Sequence, residues 1–166
     1  MMHRRPVIQL KLRATDRMLE IAGWILLITI WLLVIGHYHR LPAKIPVHFD
    51  VTGQADRMGK KWMIWMIPSV TTILFIGLTL LNSYPHLFNY PTRITDENAY
   101  TQYTLATRLI RYLKIILVLI FGLMENQLIK SAEGKAEGLG QWFMPVALLL
   151  IFIPLVYYLV KSVKSR

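Results

Sequence analysis

The stretch IAGWILLITIWLLVIGHY, residues 21–38, contains no Asp, Glu, Lys or Arg and decides the fold class. A helix needs about 20 mostly apolar residues to cross the roughly 30 Å hydrocarbon core of a bilayer. Three further apolar runs of similar length follow, at residues 62–82, 109–129 and 142–160. The sequence therefore predicts an all-α membrane protein with four transmembrane helices.

Composition supports a membrane protein. Hydrophobic residues make up 55% of the 166 residues and charged residues 17%, an excess of apolar side chains that water would not accommodate. In a soluble protein, the net charge of +10 would suggest nucleic acid as a binding partner. Here the basic residues flank apolar runs, where they meet anionic lipid headgroups. Membrane lipids are thus expected partners and nucleic acid is not. The absence of cysteine excludes disulfides, thiolate metal sites and thiol catalysis.

The flanking charges predict the orientation of a single membrane domain, residues 1–166. Twelve Lys and Arg residues flank the spans on the side of the termini and seven on the other side, so both termini are expected to be cytoplasmic. The expected order is a cytoplasmic segment 1–20, an outer loop 39–61, a cytoplasmic loop 83–108, a flexible outer loop 130–141 and a cytoplasmic tail 161–166. The first helix would serve as an uncleaved signal, and the alternating residues 7–12 predict a short strand or an interfacial segment.

The loop between the first two spans looks structured. Pro42 and Pro46 restrict the backbone and favour an extended conformation over residues 41–49. The residues that follow, 50–53, have the composition of a turn, in which Gly53 can adopt positive φ. We therefore expect an ordered outer loop.

This loop carries a spaced pattern that resembles a known family, the domain of unknown function at the N-terminus of bacterial SdpI-type immunity and signalling proteins. The pattern comprises Leu41-Pro42, Ile45-Pro46, His48-Phe49, Gly53, Asp56 and Gly59-Lys60. A later stretch with Asn89, Tyr90 and Pro91 resembles shorter bacterial members of the family. The resemblance implies a bacterial inner-membrane protein that senses, or gives immunity against, an extracellular or membrane-active ligand. Its implied partners are a peptide toxin or a cytoplasmic regulator.

Two interpretations of the loop remain open. His48 and Asp56, with Asp50 and His37 or His39, could converge on a ligand or a divalent metal. Alternatively, His48 caps a turn and Asp56 pairs with Lys60 across one helical turn. The spacing matches no established metal motif, so neither a metal nor a cofactor is predicted.

A second candidate site lies in the third span, at Glu125, Asn126 and Gln127. A rise of 1.5 Å per residue places Glu125 only about 16 Å beyond Lys114, and a carboxylate within a membrane usually faces a partner or a water-filled cavity. Such a site would suit a small-solute or lipid transporter component, or an accessory subunit of one. The alternative is that Glu125 reaches the outer interface.

Arg108, Arg111 and Lys114 share one face at the start of the same span. They would grip lipid phosphates or an acidic partner, or serve as ordinary positive-inside anchors. No nucleophile with an adjacent base, phosphate loop or zinc-protease motif accompanies any of these groups. A non-enzymatic role is therefore expected.

Overall fold

The computed structural model describes residues 5–165 and consists mainly of four helices. These are α1 (Ala14–Tyr38), α2 (Met66–Leu81), α3 (Ala99–Ala132) and α4 (Phe143–Lys164). A two-stranded antiparallel sheet, β1 (Lys44–Phe49) and β2 (Ala55–Lys60), connects α1 to α2 through a 3₁₀ turn at Lys61–Trp65. The hairpin and residues 133–142 form one end of the bundle, here called the hairpin end. The start of α1, residues 82–98 and the end of α4 form the opposite, termini end.

Three helical segments within residues 5–165 are long and apolar enough to cross a membrane. They are Ala14–Tyr38, Lys61–Leu81 and Phe143–Lys164. Large apolar side chains remain exposed along them, as they do on α1 at Ile21, Ile25, Ile28, Leu32 and Ile35. Contiguous apolar surface of this kind is suited to lipid. The chain is therefore compatible with a multi-pass membrane protein.

α3 is the central helix of the molecule. It packs against α1, α2, α4 and β1, and its 34 residues include five charged side chains, Arg108, Arg111, Lys114, Glu125 and Lys130. Two apolar clusters lie along its buried face. The cluster in the middle of the bundle consists of Leu27, Ile30, Phe75 and Val118. The cluster at the hairpin end consists of Val34, Leu41, Ile45, Ile64, Leu128 and Ile129.

The helices extend beyond the predicted apolar runs. α1 begins at Ala14 instead of residue 21, and α3 begins at Ala99 instead of residue 109, which shortens the predicted loop 83–108. Hydropathy detects only the part of a helix that is apolar, whereas these additional turns carry polar side chains that bond one another. The N-cap of α1 is Arg13, whose backbone N–H donates to Asp16 at 2.9 Å.

The predicted N-terminal strand does not form. Residues 5–13 have no regular secondary structure, and the one sheet in the part of the chain that the structure describes contains only β1 and β2. A strand needs a neighbour for its backbone groups. Residues 7–10 and Leu12 instead line a cavity with residues 82–86, Thr107 and Arg111.

Candidate functional site at the hairpin end

The β1–β2 hairpin is built from the residues of the sequence pattern. Ile45 and Pro46 are buried in β1, and Ile45 pairs with Gly59 in β2. A Cβ at Gly59 would lie 2.6 Å from Val47 Cγ1 and 2.7 Å from Met63 Sδ, so this close packing requires glycine. The exposed Pro42 precedes the first strand. The hairpin confirms the predicted extended segment after Pro42.

The turn of the hairpin is held by Asp50. Its Oδ1 accepts hydrogen bonds from the Thr52 backbone N–H at 2.9 Å, the Thr52 hydroxyl at 2.7 Å and the Gln54 N–H at 2.9 Å. The Thr52 hydroxyl bond, followed by that from Gln54, lowers the pKa of Asp50. Gly53 closes the turn with a φ of 81°. The turn is thus a network of local bonds around one carboxylate.

The hairpin is joined to the segment between α3 and α4. Leu139 N–H donates to Gly53 O at 2.7 Å, Gln54 forms an isolated β-bridge with Gly138, and Gln127 Nε2 donates to Gly138 O at 2.9 Å. The sequence predicted only a flexible loop here. In the structure, Gly138 and Gly140 adopt positive φ and thereby permit this contact. The glycines were the available signal, but their partner could not be read from the sequence.

His48 and Asp56 face each other across the two strands. His48 Nδ1 lies 2.6 Å from Asp56 Oδ1, and both side chains are about half exposed. The alternative pairing of Asp56 with Lys60 across a helical turn is wrong, because both residues lie in β2 and residues four apart in a strand are separated by about 13 Å. Lys60 is exposed at the end of the strand.

A cleft of about 310 Å³ opens between the hairpin, α3 and the start of α4. Its apolar wall includes Phe49, Met124, Leu128, Phe143 and Met144, and its polar edge comprises His48 and Asp50. An apolar cavity of this size with a few polar groups at its mouth is typical of ligand sites. The cleft places Phe49, His48 and Gly53 of the sequence pattern around one space.

Glu125 is sealed within the bundle. It is fully buried on the inward face of α3, between the two apolar clusters, and neither carboxyl oxygen has a hydrogen-bond partner within residues 5–165. Its carboxyl is thus shielded from solvent by the surrounding helices. Asn126 is half-buried, and Gln127 points to Gly138. The three polar residues predicted as one site are thus separated.

The cations at the start of α3 have partners within the chain. Arg108 Nε donates to Asp16 at 2.9 Å, Arg111 Nε donates to Glu20 at 3.1 Å, and the buried Lys114 bonds both Glu20 and Thr79. Arg111 and Lys114 thus join α1 and α3 instead of reaching lipid. Sequence spacing identified their shared face, on which Arg111 and Lys114 point inward and Arg108 remains partly exposed.

Asn89, Tyr90 and Pro91 lie at the termini end. Tyr90 donates to Pro85 O at 2.8 Å and its ring lies 5.5 Å from that of Tyr103, whereas Asn89 and Pro91 are exposed. Burial raises the pKa of Tyr90. These residues are far from the hairpin and do not contribute to its cleft. No group of three or more His, Asp or Glu side chains that could hold a metal occurs within residues 5–165.

Comparison with known proteins places the hairpin inside a family match. Residues 24–72, from α1 through the hairpin into α2, match a family described as a domain of unknown function (DUF1648). The chain is also 31% identical over 70 residues to an uncharacterized protein of Archaeoglobus fulgidus, an alignment that covers 37% of this chain and 38% of the archaeal protein. No solved structure matches.

Proposed function

We propose that this chain is a non-enzymatic, four-span protein of the bacterial inner membrane whose hairpin end senses or neutralises an extracellular or membrane-active ligand. The observation that carries the proposal is the ordered hairpin, which forms an amphipathic cleft with α3 and α4. The same residues resemble the corresponding region of SdpI-type immunity proteins. A membrane-active peptide, with apolar and polar faces, has the chemistry that this cleft would bind.

The arrangement of the elements supports α3 as the fourth span. The hairpin contacts Leu139, which follows α3, so the far end of α3 lies at the hairpin end while its start lies near the end of α2. Its 34 residues extend over about 50 Å, more than the roughly 30 Å of hydrocarbon. Pairing of Arg111 and Lys114 with Glu20 reduces the cost of placing charge there.

The test uses His48, which lines the cleft, and its partner Asp56. His48→Ala and Asp56→Ala should insert at normal levels, because both side chains are exposed, yet lose the protection that wild type gives cells challenged with a membrane-active peptide. The double variant should be no worse than either single variant if the two act as one pair. His39→Ala is the matched control, since His39 is exposed at the same end outside the cleft.

Protection by both alanine variants at the wild-type level, or no protection by wild type, would contradict the proposal. The alternative would then be a small-solute or lipid transporter component or accessory subunit that uses the Glu125 region. The observation that favours this alternative is the buried carboxyl of Glu125, which has no hydrogen-bond partner within residues 5–165. Glu125 is fully buried and does not line the hairpin cleft, and these closed surroundings favour sensing over transport.

A further inference from the structure

A groove of about 420 Å³ lies between α3 and α4 toward the termini end, remote from the hairpin. Its body is apolar, with Leu105 and Leu109 on α3 and Ile153 and Pro154 on α4. α4 is one of the helices apolar enough to cross a membrane, and Ile153 is largely exposed in the groove, so its apolar body is suited to the hydrocarbon of a bilayer. Its apolar part has the chemistry to accept an acyl chain.

Two cations stand at the termini end of this groove, one on each wall: Arg108 on α3 and Lys161 on α4. Arg108 uses Nε and Nη2 to bind Asp16, and its Nη1 makes no hydrogen bond within residues 5–165. Lys161 is exposed and donates to the Tyr157 hydroxyl at 2.9 Å. No carboxylate of the described residues pairs with Lys161. Both cations therefore retain donors for an anion.

A polar cleft of about 440 Å³ adjoins the groove and shares Arg108 and Tyr112 with it. Arg13, Thr15 and Asp16 at the start of α1 form its other wall. Around the two spaces there are thus three cations, Arg13, Arg108 and Lys161, and one carboxylate, Asp16. An apolar groove that continues into a cationic cleft matches the division of a phospholipid into chain and headgroup.

We propose that one anionic phospholipid of the bilayer binds here. Its phosphate lies between Arg108 and Lys161, its headgroup enters the cleft toward Arg13, and the upper part of one acyl chain follows Leu105, Leu109 and Ile153. The excess of positive charge favours an anionic headgroup over a zwitterionic one, which would bring its own cation into the cleft. The apolar groove favours a lipid over a soluble phosphate, because burial of the chain adds to the electrostatic attraction.

The full chain, purified in detergent, can be titrated with phosphatidylglycerol or phosphatidylcholine and examined by native mass spectrometry. Wild type should bind one phosphatidylglycerol more tightly than phosphatidylcholine. Lys161→Gln should weaken phosphatidylglycerol binding about fivefold, the factor expected for one Lys near anionic lipid. Lys164→Gln removes the same charge from an exposed site one turn later in α4 and should leave the affinity unchanged.

A second pair of variants tests whether the acyl chain occupies the groove. Ile153→Trp should fill the groove and weaken phosphatidylglycerol binding, whereas Ile151→Trp, at an exposed position outside it, should not. Equal affinity of wild type for the two lipids would overturn the proposal. So would equal losses in Lys161→Gln and Lys164→Gln, or unchanged binding in Ile153→Trp. None of these measurements involves the hairpin, so they stand apart from the sensing assay.

Discussion

Gly53 is constrained twice at the tip of the hairpin. Its φ is 81°, and a Cβ there would lie 2.7 Å from the backbone nitrogen of Gly140. Gly53→Ala should therefore lower the free energy of unfolding by about 2–4 kcal/mol, through left-handed strain of about 1 kcal/mol and overpacking of about 1–3 kcal/mol. Thermal unfolding in detergent, followed by circular dichroism, measures this.

Gly134 provides the matched control for Gly53. Its φ is 71°, but a Cβ there meets no atom within 4 Å. Gly134→Ala should thus show only the strain of about 1 kcal/mol. Equal losses in the two variants would mean that the hairpin does not pack against Gly140.

Glu125 contributes an unpartnered carboxyl to an apolar interior. Glu125→Leu should raise the free energy of unfolding by about 1–3 kcal/mol, because an uncompensated buried polar group is removed. The control is Glu137→Leu, at an exposed position, which should change stability little. A lower melting temperature for Glu125→Leu would show that the carboxyl has a stabilising partner.

At the scale of elements, ion pairs join α1 to α3 at the termini end of the bundle. Asp16 accepts both the Arg13 N–H and two bonds from Arg108, and it is almost fully buried. Asp16→Ala should lower the free energy of unfolding by about 3 kcal/mol, because Arg108 then loses its buried partner.

Asp96→Ala is the comparison for Asp16→Ala, since Asp96 is exposed in the loop before α3. It should leave the free energy of unfolding within about 0.5 kcal/mol of wild type. If chemical denaturation of the two variants coincides, the Asp16–Arg108 pair contributes nothing measurable.

The elements could be predicted from the sequence where the signal is local. Apolar run length located α1, α2 and α4, and Pro42 with Gly53 indicated the extended segment and its turn. The first turns of α3 were not predicted, because residues 99–108 are largely polar and do not extend the apolar run that follows them. Pairing of Asp56 with His48 instead of Lys60 depends on strand register, which β1 and β2 determine together.

At the scale of the whole molecule, the proposed topology places residues 52 and 131 outside the cell and residue 95 inside. The chain has no cysteine, so Thr52→Cys, Ser131→Cys and Thr95→Cys can be labelled singly with an impermeant maleimide. Thr52→Cys and Ser131→Cys should react in intact cells, and Thr95→Cys should react only after permeabilisation. The reason is that the excess of basic residues on the side of the termini favours a cytoplasmic location for that side.

The reverse labelling pattern, with Thr95→Cys reactive in intact cells and Thr52→Cys protected, would overturn the orientation. Labelling of Thr52→Cys but not Ser131→Cys from outside would remove α3 as a span.

The contact between the hairpin and the segment after α3 could not be predicted from the sequence. Gly53 and Leu139 are distant in the chain, and nothing in either segment alone names its partner.

The bond between Gly53 and Leu139 has a consequence for biosynthesis. Leu139 leaves the ribosome 79 residues after Lys60, where the hairpin ends, a delay of roughly 4–16 seconds at 5–20 residues per second. During that interval the hairpin is complete but lacks the surface against which it docks. The nascent protein must therefore pass through a stage in which α1, the hairpin and α2 have been synthesised and the cleft does not yet exist, so a truncated chain released before α4 would carry residues 24–72, the segment that matches DUF1648, without a finished cleft.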